Sequence, residues 1–233
     1  MNSALSLVNV TLEYPDGDGM LKALDDVSLH IAPGEFVSLV GPSGSGKSSL
    51  LAVAATLVKP TAGRVVIGGA DAGLLSDAGR TSLRRDRIGI VFQQPNLLPS
   101  LTALEQLVIA EHLRGNSAGD ASRRAAGLLD LVGLASAASK RPHQLSGGQR
   151  QRVNIARALM GDPAVLLVDE PTAALDQERS EAIVQLLRQV TDDFGVATVM
   201  VTHDTGFVPL TDSVASMLDG ALSAPRPAEA VPA

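Results

Sequence analysis

The octapeptide Gly41-Pro-Ser-Gly-Ser-Gly-Lys-Ser48 limits the folds open to this chain more than any other stretch of it. It matches the phosphate-loop pattern G-x-x-x-x-G-K-[ST]. It also lies where that pattern has physical meaning, between a short apolar strand, Phe36 to Val40, and a stretch read as a buried helix, Lys47 to Val58. Glycines let backbone N–H groups turn inward around phosphate oxygens, and the N-terminus of the following helix adds partial positive charge. Gly41, Ser43, Gly44, Ser45, Gly46, Lys47, Ser48 and Ser49 are the expected nucleotide contacts. Lys47 can reach the β- and γ-phosphates, and the Ser48 hydroxyl can bind Mg²⁺. A glycine turn that only caps a helix is the bland alternative, and the strand–loop–helix context argues against it.

The rest of the chain has the rhythm such a loop needs. Leu5 to Tyr14 alternates apolar and polar residues as a half-buried strand does; further strands are expected at Val27–Ile31, Arg64–Ile67 and Ile88–Gln93. The middle third reads as helical over Thr102–Leu113 and Ala121–Val132, joined by a polar linker, and over Ser146–Met160, capped by Ser146. Strand Ala164–Val168, helix Arg179–Val190 and strands Ala197–Thr202 and Ser213–Leu218 complete the pattern. Apolar strands alternating with helices imply a sheet covered on both faces. The expected fold class is therefore α/β: a phosphate-loop core with a mixed sheet, an antiparallel β subdomain and an α-helical insert. The Ala/Pro-rich tail, 221–233, is expected to be loose.

Composition removes several function classes. The chain has 233 residues, enough to bury a core unaided, and no cysteine, so a disulfide framework, a thiol nucleophile and a cysteine-based zinc site are excluded. With 19 Lys+Arg against 25 Asp+Glu the net charge is −6, which argues against a broad nucleic-acid surface. The broken basic stretches Arg84-Arg85-Asp86-Arg87 and Arg123-Arg124 read as solvated faces. No apolar run approaches the ~20 residues that span a bilayer, and the start lacks the pattern of a secretory signal. The reading is a soluble, cytoplasmic chain.

Val165-Leu-Leu-Val-Asp169-Glu170 is an apolar strand ending in two carboxylates. A parallel strand delivers its C-terminal end to the crevice where ligands bind. Asp169 is placed to hold Mg²⁺ with Ser48, and Glu170 to accept a proton from an attacking water. Tyr14, the one tyrosine, precedes a turn and offers a flat face to a purine. No Asn precedes a Lys, so a guanine-reading Asn-Lys-x-Asp is absent and ATP is favoured over GTP.

At Leu145-Ser146-Gly147-Gly148-Gln149 a second, rarer motif appears. With the phosphate loop and the Asp-Glu strand it resembles the signature of the ATP-binding-cassette (ABC) ATPases, the motor subunits of ABC transporters. The resemblance runs from about Leu5 to Gly220 and implies one ATPase domain over 1–220: an α/β core with its β subdomain at 1–94 and 160–220, and a helical subdomain at 95–159. It implies that Tyr14 stacks on adenine and that Gln93 is the Q-loop glutamine near Mg²⁺, with Gln94 adjacent. Ala174-Leu175-Asp176 would be the D-loop, and His203 the switch histidine that contacts the γ-phosphate and orients Glu170. It further implies a head-to-tail dimer, in which Ser146, Gly147, Gly148 and Gln149 of one copy face the ATP of the other, and an integral membrane permease that holds the chain at the cytoplasmic face.

Arg87 to Pro99, Leu101 to Glu105 and Pro142 to Val153 look like the macrolide-efflux and lipoprotein-releasing branch, from which the chain departs at Ala173-Ala174 and Gln106. Export or membrane extraction of a macrolide, lipoprotein, peptide or haem is the implied work. A regulatory ATPase that signals through a membrane partner without moving cargo is the alternative. Pro95 to Leu104 is expected to receive the partner, with Leu97 and Leu98 partly exposed.

Overall fold

The computed structural model describes residues 3–17, 19–112, 114–115 and 117–228. The expected helix end at Leu113 and the end of the tail fall outside the described residues.

The first strands form an antiparallel sheet. β1 (Leu5–Asp16) pairs with β2 (Gly19–Ile31) on one side and with β4 (Ala62–Ile67) on the other, and β5 (Ala70–Asp71) closes the edge. Leu5, Leu7, Val10 and Leu12 are all buried, a sequence spacing of two, then three, then two. The extra residue is a bulge at Asn9 (φ 49°), whose N–H donates to Ser28 Oγ and whose Nδ2 donates to Asp26 Oδ1. β2 starts well before the expected Val27: Met20 to Lys22 pair with β1 but are exposed, so no alternation betrays them.

The second sheet carries the chemistry. β3 (Phe36–Val40), β6 (Ile88–Val91), β7 (Val165–Asp169), β8 (Ala197–Val201) and β9 (Ser213–Leu218) run parallel in the order β9-β3-β8-β7-β6. The two faces feed different cores. Val165 and Leu167 join Leu50, Val53 and Ile67 beneath the antiparallel sheet, while Leu166 and Val168 join Leu107, Leu129, Ile155 and Leu187 on the helical side. Burial on both faces explains why these strands read as unbroken apolar runs. The tail corrects its expectation: β10 (Ala221–Leu222) and β11 (Arg226–Pro227) both pair antiparallel with β9, and Ala228 is buried.

The helices are α1 (Lys47–Ala54), α2 (Asp77–Arg87), α3 (Ala103–His112), α4 (Ala118–Leu131), α5 (Gly147–Ala158) and α6 (Gln177–Phe194). α1 is shorter than expected because Leu57 and Val58 both donate to Ala52 O and Thr56 turns to φ 56°. Arg84 Nη1 donates to Thr56 O (2.9 Å), and Arg124 Nε and Nη2 donate to the Met160 and Leu159 carbonyls (2.7 and 2.9 Å). These two arginines are thus not on purely solvated faces; they satisfy the carbonyls that follow α1 and α5, where a cation is favoured. α2 had no apolar periodicity to announce it, since Leu83 is its one buried residue; Ser76 caps it. Among the described residues no helix is long and apolar enough to cross a membrane.

Candidate functional site

The phosphate loop leaves β3 and enters α1 over positions that only glycine fits. Gly41 has φ 153°, and a Cβ there would lie 2.2 Å from Met217 O; Gly46, the N-cap of α1, has φ 106°, and its Cβ would lie 2.5 Å from Ala23 O. Gly220 N donates to Ser45 O (3.0 Å) and Asp25 N to Gly220 O (2.9 Å), which ties the loop to the turn after β9 and to β2. Lys47 is 8 % exposed, and its Nζ donates to the Gly41 and Pro42 carbonyls at 2.7 and 2.8 Å. The ammonium is thereby centred under the loop. The buried Ser45 hydroxyl has no hydrogen-bond partner among the described residues.

Around this loop is a cavity of about 630 Å³. Tyr14, Ser43, Gly44, Gly46, Lys47, Ser48, Ser49, Gln93, Asp169 and Glu170 line it, so elements far apart in sequence converge there; Gly41 and Ser45 are not among the lining residues. Gln93 lines the cavity and Gln94 does not. Tyr14 is 41 % exposed, a ring with an open face. Lys22, Asp219 and Gly220 also line it and were not anticipated. Asp219 (φ 48°) and Gly220 form a left-handed turn after β9, and the Asp-Gly pair closing an apolar strand was the available signal.

Asp169 and Glu170 end β7. Burial raises the pKa of Asp169, the neighbouring Glu170 charge raises it further, and Lys47 offsets part of this. A carboxylate held at such cost in free energy gains from a cation beside it. Ser48, Gln93 and Asp169 are the hard oxygen donors that suit Mg²⁺, all lining one cavity, and the glycine-rich loop with Lys47 at the start of α1 suits a polyphosphate. Glu170 Oε2 meets His203 Nδ1 at 2.7 Å; the carboxylate is 16 % exposed and the imidazole 70 %. His203 therefore reaches the cavity through Glu170 and leaves its other edge open to solvent.

The Ser146 motif sits elsewhere. Ser146 Oγ accepts from Gln149 N (3.2 Å) and Gln149 Oε1 accepts from Ser146 N (2.9 Å), a reciprocal cap on α5. Ser146, Gly147, Gly148 and Gln149 do not line the cavity of their own chain. A Cβ on Gly147 would come within 3.3 Å of Leu175, so the Ala174-Leu175-Asp176 segment packs against the motif, and Asp176 caps α6 by accepting from Arg179 N.

A family model described as "ABC transporter" matches residues 24–173. The chain is 45 % identical over 222 residues to an uncharacterized ABC transporter ATP-binding protein, MJ0796, of Methanocaldococcus jannaschii, covering 93 % of this chain and 94 % of that one. It is 43 % identical over 218 residues to the lipoprotein-releasing system ATP-binding protein LolD 1 of Rhodospirillum rubrum (94 % and 96 % covered). It is 45 % identical over 222 residues to the methionine import ATP-binding protein MetN of Streptomyces griseus, but spans only 62 % of that protein. A dimeric, post-hydrolysis structure of MJ0796 bound to ADP and Pi superposes with a TM-score of 0.86 at 41 % identity, over 96 % of this chain and 98 % of that one. Fold, phosphate loop, paired carboxylates and relatives agree: this chain belongs to the ABC transporter family, as one of its ATP-binding, ATP-hydrolysing cassettes.

Proposed function

We propose that this chain is the motor subunit of a membrane transporter, in which two copies close head to tail on Mg²⁺-ATP and drive a permease that exports a substrate or extracts it from the membrane. The observation that carries the reading is the Glu170–His203 pair, 2.7 Å apart beside the phosphate loop. A partly buried carboxylate oriented by an imidazole is what activation of water needs.

In this reading Tyr14 stacks on the adenine, and Gly41, Ser43, Gly44, Ser45, Gly46 and Ser49 surround the phosphates with Lys47. Ser48, Gln93 and Asp169 would hold Mg²⁺, which when bound would supply positive charge beside the phosphate oxygens. Glu170 takes the proton of the attacking water. His203 fixes the Glu170 carboxylate, and its exposed edge together with Lys47 stabilises the γ-phosphoryl group as it passes from ADP, the leaving group, to water. The motif at Ser146 to Gln149 lies outside the lining of its own cavity, which suits an anion presented by a second copy; two-fold symmetry then makes two equivalent sites. The dimeric MJ0796 structure supports this arrangement.

The permease surface is read from apolar residues beside the Q-loop. Leu98 is 47 % exposed, Phe92 41 % and Leu57 57 %, and Leu97 is half-buried. A chain with such a surface and no spanning helix among its described residues would work at the cytoplasmic face, held there by its partner. The likeness to lipoprotein-releasing cassettes supports release or extraction as the work driven. Glu170→Gln tests the reading. Turnover should fall by at least about 100-fold while Mg²⁺-ATP converts the chain to a stable dimer on gel filtration. Turnover near wild type would remove Glu170 as the base.

A further inference from the structure

Three side chains on the buried face of α5 close on the backbone just beyond β6. Asn154 is fully buried, and its Nδ2 donates to Phe92 O at 2.9 Å. Gln151, 2 % exposed, donates from Nε2 to the same carbonyl at 3.3 Å, and Arg157 donates from Nη2 to Pro95 O at 2.9 Å. The three also bond one another: Asn154 Oδ1 accepts from Arg157 Nη2 at 2.9 Å, and Gln151 Oε1 accepts from Asn154 Nδ2 at 3.4 Å. Asn154 is the hub. Its amide donates to the loop and accepts from the guanidinium that holds the loop three residues further on.

A buried amide inside a helix has little to recommend it for packing, since alanine forms helix better and an apolar residue carries no desolvation cost. The amide nitrogen holds Phe92 O directly, and the amide oxygen holds the guanidinium that grips Pro95 O. Gln93 lies between the two clamped carbonyls, with its side chain at the nucleotide cavity. The same helix begins at Ser146. One rigid element thus carries the anion-seeking motif at its start and grips the Q-loop from its middle.

We propose that Asn154 is a positioning residue: it locks segment 92–95 to α5, so that capture of the second copy's nucleotide at Ser146–Gln149 moves Gln93 and the permease surface as one body. This rests on the head-to-tail dimer proposed above. It adds a named joint between the two copies' nucleotides and the Q-loop.

Hydrogen exchange on the full-length Glu170→Gln chain with Mg²⁺-ATP tests it. That protein should gain protection at amides 147–150 and at 92–98 together. Adding Asn154→Leu should preserve the gain at 147–150 and reduce that at 92–98 by about tenfold. Equal protection of both segments in the double variant would overturn the proposal. Absence of protection at 147–150 in Glu170→Gln itself would overturn the dimer and the proposal with it. Should Asn154→Leu fail to fold by circular dichroism, Asn154→Ala takes its place under the same criteria. In the otherwise wild-type chain, Asn154→Leu should lower kcat about tenfold and keep KM for ATP within about twofold, since a misplaced group costs rate without touching nucleotide binding. A raised KM with kcat intact would assign Asn154 to nucleotide binding and overturn the positioning role.

Discussion

Glu170 holds a backbone conformation that residues other than glycine adopt only when their surroundings enforce it, at φ 44°. The enforcement is visible: its N–H donates to Val201 O at 3.0 Å, and Pro171 follows. The left-handed turn directs the carboxylate to His203, where an extended residue would have continued the strand. Strain of about 1–3 kcal/mol at such a position is sustained by the ladder that ends there. Lys47 shows the complementary case, a charge with its place defined by two loop carbonyls. Removing it takes away charge-assisted hydrogen bonds to phosphate worth about 1.5–3 kcal/mol. Lys47→Ala should therefore weaken ATP binding by about 10- to 100-fold in calorimetry while leaving the Tm little changed.

At the scale of the element, strand existence was legible and strand extent was not. β3, β6, β7 and β8 announced themselves as apolar runs because both faces are buried, whereas the exposed half of β2 and the whole of α2 carry no periodicity to read. The site divides similarly. Residues within the phosphate loop and on the strand end were readable from local chemistry. Lys22 and Asp219 reach the cavity only because distant turns fold against the loop. One unforeseen junction is testable. Asp212 Oδ2 accepts from Phe36 N (2.7 Å) and from Arg188 Nη1 (2.8 Å), and the guanidinium lies over the Phe36 ring, 5.5 Å from its centre. Burial would raise the Asp212 pKa, but the Arg188 hydrogen bond, the Phe36 N–H and the Arg188 charge together leave it below its ordinary 3.8. A depressed carboxylate contributes stability above its unfolded value and loses it as pH falls through the folded one. Asp212→Ala should cost about 1 kcal/mol at pH 7, a low figure because the side chain is half-exposed, and about 2–4 °C in Tm. The gap to wild type should close as melts are repeated below about pH 4.

The whole molecule places its two outward-looking features on one scaffold. The loop from Pro95 is held from inside, since Gln106 donates from Nε2 to Leu98 O (2.7 Å) and accepts from Leu98 N (3.1 Å), yet it leaves the Leu98 side chain exposed. A pinned backbone under an exposed apolar side chain suits a fixed docking surface. If the proposed permease docks there, Leu97→Asp with Leu98→Asp should abolish co-purification of a membrane partner and leave the ATPase of the isolated chain within about twofold. Retained assembly would move the docking surface elsewhere.

The strand order also governs when the phosphate loop can come into being. β3, which launches the loop, has no neighbour made before it in its sheet; it pairs through Phe36 with Thr198 and through Val37 with Ser213. A chain emerging from the ribosome therefore synthesises its phosphate loop early and cannot seat it until β8 and β9 are out. The closure of so long a loop makes this a late, non-local step in folding. Nascent chains arrested before residue 213 should not be retained on immobilised ATP, and those extended past Ala228 should be. Nucleotide capture would then report that both strands flanking β3 have been made.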